Sequence, residues 1–117
     1  MLKAGLAGVL VLILAGCATK WEAPATPKFG QKSFELVCDK ERYMLYVSDE
    51  LNFVLLDAFL TPVVSKKLEN GAFQNTKFLP PNAKFDEIFI GILNMIKNEE
   101  KISLIKAKKL TCKAKEL

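Results

Sequence analysis

The sequence predicts an all-β domain, a small antiparallel barrel or sandwich closed by a disulfide. Three observations predict it. Short segments between residues 34 and 112 are apolar or alternate apolar with polar side chains, as buried and half-buried strands do. Turn signals separate these segments: Asp39-Lys40-Glu41, Glu69-Asn70-Gly71, Pro80-Pro81-Asn82 and Asn98-Glu99-Glu100. Two cysteines, Cys38 and Cys112, flank most of this stretch and form an even pair once Cys17 is set aside for the role given below. With 117 residues, half of them hydrophobic and 26% charged, the chain suits one folded domain rather than two, or a disordered polymer.

No charged residue occurs between Lys3 and Lys20. The run is short of the roughly 20 apolar residues that span a bilayer. It has the parts of a secretory signal instead: a basic start at Lys3, an apolar core from Leu6 to Leu14, and then small residues. Leu14-Ala15-Gly16-Cys17 reads as a bacterial lipobox, in which a diacylglycerol is joined to the Cys17 thiol and the chain is cut before it. Residues 1–16 are therefore expected to be a lipoprotein signal peptide, and 17–33 a lipidated cysteine followed by a flexible tether containing Pro24 and Pro27. Residues 34–117 would form the single β-rich binding domain. Ala18, rather than Asp, follows the cysteine, which fits sorting to the outer membrane, lipid-anchored and facing the periplasm. In that oxidising compartment Cys38 and Cys112 are expected to be bridged, the alternative being two separate buried thiols. A bridge closing a loop of this length would contribute about 4 kcal/mol in the chain-entropy model.

The expected elements follow in order. Phe34 to Cys38 alternates as a strand, and Arg42 to Val47 puts Tyr43, Leu45 and Val47 on one face. Asn52 to Leu56 and Leu60 to Ser65 are short apolar runs, with Pro62 marking an edge or a bulge in the second. Asn70-Gly71 suits a hairpin turn because both residues tolerate positive φ. A strand is expected over Ala72 to Phe78, another over Ile88 to Met95, and a closing segment from Lys101 to Cys112. A competing pattern exists: Asp86-Glu87 ahead of Ile88, Ile92, Met95 and Ile96 also satisfies a helix, giving an α+β alternative with a helix around 82–96. Ser48-Asp49-Glu50 offers a second such start, for a helix through Phe59.

Little catalytic chemistry is available. The chain has no histidine, which removes the commonest neutral-pH acid/base group and metal ligand. The adjacent pairs Asp49-Glu50, Asp86-Glu87 and Glu99-Glu100 read as solvated turn charges rather than paired acid/base carboxylates. No phosphate-binding glycine loop or nucleophile elbow occurs. A formal charge of +4 falls short of a nucleic-acid-binding stripe. No enzyme activity, metal, cofactor or nucleic acid is expected; a binding protein is.

Phe34-x-x-x-Cys38-Asp39, Asn70-Gly71-Ala72-Phe73, Lys97-Asn98-Glu99-Glu100-Lys101 and the late Cys112 together resemble the membrane-bound inhibitors of c-type lysozyme, small bacterial lipoproteins. The resemblance implies an eight-stranded antiparallel barrel with a disulfide between the first strand and the C-terminus. It also implies inhibition of c-type lysozyme by a loop inserted into the active-site cleft, with Asn70, Gly71, Phe73 and Lys97 at the contact. Asn70 stands where the family has serine, Gln74 where it has tyrosine, and Met95 where it has tryptophan. The other function open to such a chain is docking onto another outer-membrane or envelope protein as a structural or assembly partner. Under either, Cys17 is the anchor. A palmitate analogue is expected to label the wild-type chain and not Cys17→Ser; equal labelling of the two would exclude the lipobox reading.

Overall fold

Alternation along the first half of the chain produces a meander. In the computed structural model, which describes residues 20–77, 79 and 82–117, β1 (Gln31–Cys38) turns inward Phe34, Leu36 and Cys38. The expected signal segment, residues 1–16, and Cys17 lie outside the described residues, as do Phe78, Pro80 and Pro81. β1 pairs with β2 (Glu41–Ser48) through the two-residue turn Asp39-Lys40. Both turn residues have positive φ, 48° and 72°, the backbone that matches the right-handed twist of a tight hairpin. β3 (Asn52–Leu56), β4 (Pro62–Glu69) and β5 (Ala72–Asn75) continue the meander, with Phe53, Leu55, Val64 and Leu68 on the inward face. Pro62 does mark a bulge: Leu55 pairs with Val64 but Leu56 with Pro62, so one residue of β4 goes unmatched.

The chain then leaves the sheet as α1 (Asp86–Lys97) and returns as a hairpin, β6 (Ile102–Lys106) and β7 (Thr111–Glu116). β7 docks antiparallel on β1, giving one seven-stranded sheet in the order β5-β4-β3-β2-β1-β7-β6. The expectation of a mostly antiparallel β domain with a disulfide holds: Cys38 and Cys112 face each other across β1 and β7, bridged, with Cα atoms 4.2 Å apart. The sheet is not closed into a barrel.

The segment expected as a strand over Ile88 to Met95 is helical, as the alternative reading had it. Ile88, Phe89, Ile92, Leu93, Met95 and Ile96 are all buried, a helical stripe, whereas Ile90, which a strand would bury beside Ile88 and Ile92, is only half-buried. Asp86 and Glu87 occupy the first turn and Lys97 the last, each favourably placed on the helix dipole. The helix lies closest to β6 and β7, and Gly91 makes that approach possible: a Cβ there would stand 2.6 Å from Ile105 Cγ2. The Ser48-Asp49-Glu50 start leads into β3 instead of a helix, and the Lys101–Cys112 segment divides into two strands around a turn closed by the Ala107 N–H donating to Leu110 O (2.8 Å).

The core sits between the helix and one face of the sheet. Phe53 stacks on Phe89 at 4.8 Å, and Phe89 lies near-parallel to Phe85 at 6.3 Å. The opposite face carries half-buried Val37, Met44, Tyr46, Val54 and Leu56, with Lys113 and Lys115 beside them. Residues 20–30 do not trail away from the domain: Trp21 and Phe29 pack against the core. Replacing either Cys38 or Cys112 with alanine is expected to lower unfolding free energy by about 2–5 kcal/mol in urea titrations, the usual scale for small secreted domains. An unchanged midpoint would show that the β1–β7 seam holds without its bridge.

Candidate functional site

Of the four residues that the resemblance would place at an enzyme contact, Asn70 and Gly71 lie at the β4–β5 turn, Phe73 at the core margin and Lys97 at the end of α1. Asn70 and Gly71 form the β4–β5 turn with φ of 52° and 79°, and Asn70 is exposed. Glycine at position 71 answers a second demand as well. The Trp21 N–H donates to Gly71 O (2.8 Å), and a Cβ on Gly71 would lie 3.3 Å from Trp21 O. The N-terminal segment is thus strapped across the turn.

Phe73, two residues on, belongs to the core margin. Its ring meets Trp21, Phe53 and Phe89 edge-on at 6.3, 5.7 and 5.9 Å. Beside it lies a buried ammonium. Lys66, on the inward face of β4 between Val64 and Leu68, donates from Nζ to Asn82 O (2.6 Å) and to Asp86 Oδ1 (2.8 Å), 6.0 Å from the centre of the Phe73 ring. With its charge matched by Asp86 and its protons directed at oxygen, Lys66 clamps the start of α1 to β4. The Ser65 hydroxyl is likewise satisfied, 2.6 Å from that of Thr76.

Lys97 is exposed on the last turn of α1, not in a strand hairpin. Near it in the fold, at the start of β6 and the end of β7, Glu116 accepts hydrogen bonds from Lys101 (2.9 Å) and Lys32 (3.2 Å). These bonds, that from Lys101 foremost, hold the Glu116 carboxyl below its ordinary pKa against the opposing effect of burial. Strand directions put the β4–β5 turn and the helix end at the same end of the sheet, but over opposite edges. At the usual interstrand spacing β4 and β6 lie about 24 Å apart along the sheet. Asn70 and Gly71 thus share one turn, Phe73 is directed inward, and Lys97 ends the helix that leads into the opposite edge strand.

A shallow groove on the helix side is lined by Trp21, Lys84, Glu87, Lys108 and Lys109, where the Lys108 N–H donates to Glu87 (3.3 Å). Among the described residues there is no group of three or more His, Cys, Asp or Glu side chains that could hold a metal ion, and no helix long and apolar enough to cross a membrane. Two participants escape a reading of the sequence. The alternation Val64-x-Lys66-x-Leu68 already directs a lysine inward, a signal for a buried pair; nothing in the composition of residues 18–33 signals that Trp21 docks.

Asp86→Ala is expected to cost about 3–5 kcal/mol of stability, because it leaves the Lys66 charge buried without a partner. The double replacement Lys66→Met, Asp86→Leu is expected to come close to wild type in the same denaturant titration. Equal losses in the two variants would mean that packing, not charge, decides this corner. No family model matches the chain, and neither a curated protein nor a solved structure matches it.

Proposed function

We propose that this protein is a lipid-anchored, periplasm-facing binding protein of the bacterial outer membrane that docks onto a second envelope protein. The observation that carries the reading is the strap. Trp21 is hydrogen-bonded to Gly71 and packed against Phe73, and Cys17 precedes it by only four residues. Four residues reach at most about 14 Å, so an acyl chain on Cys17 would keep this corner of the domain at the membrane surface. A small domain held there in a restricted orientation suits presentation of one face to a neighbour. Cross-linking of intact cells with a lysine-reactive reagent is expected to give a discrete adduct with another envelope protein. Recovery of the chain solely as free monomer would remove this reading.

Inhibition of c-type lysozyme is the second reading, favoured by the exposure of Asn70 and Lys97 at one end of the sheet. Its mechanism is occlusion. A glycosidase cleft carries two carboxylates, one of which protonates the leaving oxygen. An ammonium from Lys97 would pair with such a carboxylate while Asn70 supplied a neutral hydrogen bond, excluding substrate and water. On this reading Lys97→Ala weakens binding by about 2–5 kcal/mol, much of it from the unpaired carboxylate left behind. A muramidase assay with the mature chain in excess over c-type lysozyme decides: undiminished lysis at micromolar protein rejects inhibition.

A further inference from the structure

The β3–β4 connection, Asp57-Ala58-Phe59-Leu60-Thr61, is knitted by its own first residue. Asp57 Oδ1 accepts the N–H groups of Phe59 (2.9 Å) and Thr61 (3.0 Å). The Asp57 N–H donates to Thr61 O (3.0 Å), and the Leu60 N–H to Asp57 O (2.9 Å). Four hydrogen bonds in five residues leave the loop one conformation. That conformation gives Leu60 a φ of 63°, where glycine or asparagine is the ordinary occupant. The result is a rigid tip with two large apolar side chains in water: Phe59 is 88% exposed and Leu60 65%.

Neither side chain serves the core, and a backbone demand alone would place glycine at position 60. Preorganised apolar anchors are what protein interfaces use as energetic centres, because little conformational freedom remains to be lost on docking. Position in the fold helps to select the occupant. β4 runs from this tip to the Asn70–Gly71 turn, about 27 Å for its eight residues, and the strap holds Trp21, four residues after Cys17, at that far turn. The tip is therefore at the end of the domain away from its attachment.

We propose that the Phe59–Leu60 tip is a plug that seats in an apolar pocket of a partner protein, rather than in the bilayer that holds the chain. The inference rests on the envelope-partner reading above and locates its contact. The test places the photoreactive residue p-benzoylphenylalanine at position 59 of the full chain in cells, with position 77 on the far side of β4 as a control. The expected result is one protein adduct from position 59, none from 77, and at least a tenfold lower yield when Leu60→Asp is added. The adducted protein, once purified, is expected to bind wild-type chain at least tenfold more tightly than the Leu60→Asp chain. Leu60→Gly guards against a folding artefact: by relieving the positive φ it is expected to match or exceed the wild-type thermal midpoint and still lose the adduct. A phospholipid adduct, an adduct of two copies of the chain, an adduct indifferent to Leu60, or no adduct would each overturn the plug. A lysine-reactive adduct persisting while position 59 gives none would refute the plug alone and leave the partner reading standing.

Discussion

The pairing of β1 with β7 is the seam on which the rest of the fold depends. Five strands form by successive local turns, and the final hairpin joins their sheet because β7 lies along β1 from Phe34 to Cys38. The Cys38–Cys112 bridge closes that seam across a sequence separation of 74 residues, and so removes much of the cost of bringing its two sides together. The helix is held over the core from both sides of the seam. Its start is clamped to β4 by Lys66 and Asp86, and its middle rests on β6 through the close approach of Gly91 to Ile105.

This arrangement explains why the sheet stays open. A barrel buries its inner face by wrapping the sheet around on itself. Here Ile88, Phe89, Ile92, Leu93, Met95 and Ile96 cover that face, and closure would leave no room for them. An open sheet has edges, and each is handled differently. β5 is only four residues long, with the Trp21 strap bonded at the turn where it begins. β6 carries Lys101 just before its start and Lys106 at its end, charges that oppose pairing with another strand.

Much of the architecture was legible because it rests on period-two alternation and local turn chemistry. β3 runs over the expected residues, β1 and β2 extend theirs by a few, Pro62 marks the bulge, and Asn70-Gly71 makes the hairpin. Residues 86–97 were ambiguous for a physical reason. Apolar side chains at 88, 90 and 92 satisfy a strand, while those at 88, 92, 95 and 96 satisfy a helix, and only the neighbours that bury them decide. Lys101 to Cys112 gave no strong turn signal, since Ala107-Lys108-Lys109-Leu110 contains neither glycine nor proline. Of the residues expected at a contact, Asn70 and Gly71 were placed by turn chemistry alone. The packing of Phe73 against Phe89 and the place of Lys97 on a helix end depend on the helix, and so could not be read before it. Leu60 was hidden because nothing in a leucine codes for a left-handed backbone.

The strap has an optical consequence. Trp21 is the sole tryptophan of the chain, and it lies against Phe73 at the margin of the core rather than inside it. Its emission therefore follows the seating of residues 20–21 on the Gly71 turn, while far-ultraviolet circular dichroism follows the disulfide-closed sheet. If the strap lifts before the sheet melts, the two signals separate along a temperature or denaturant axis. The spacing between them then measures how firmly residues 20–21 are seated on the Gly71 turn, independently of how firmly the domain is folded.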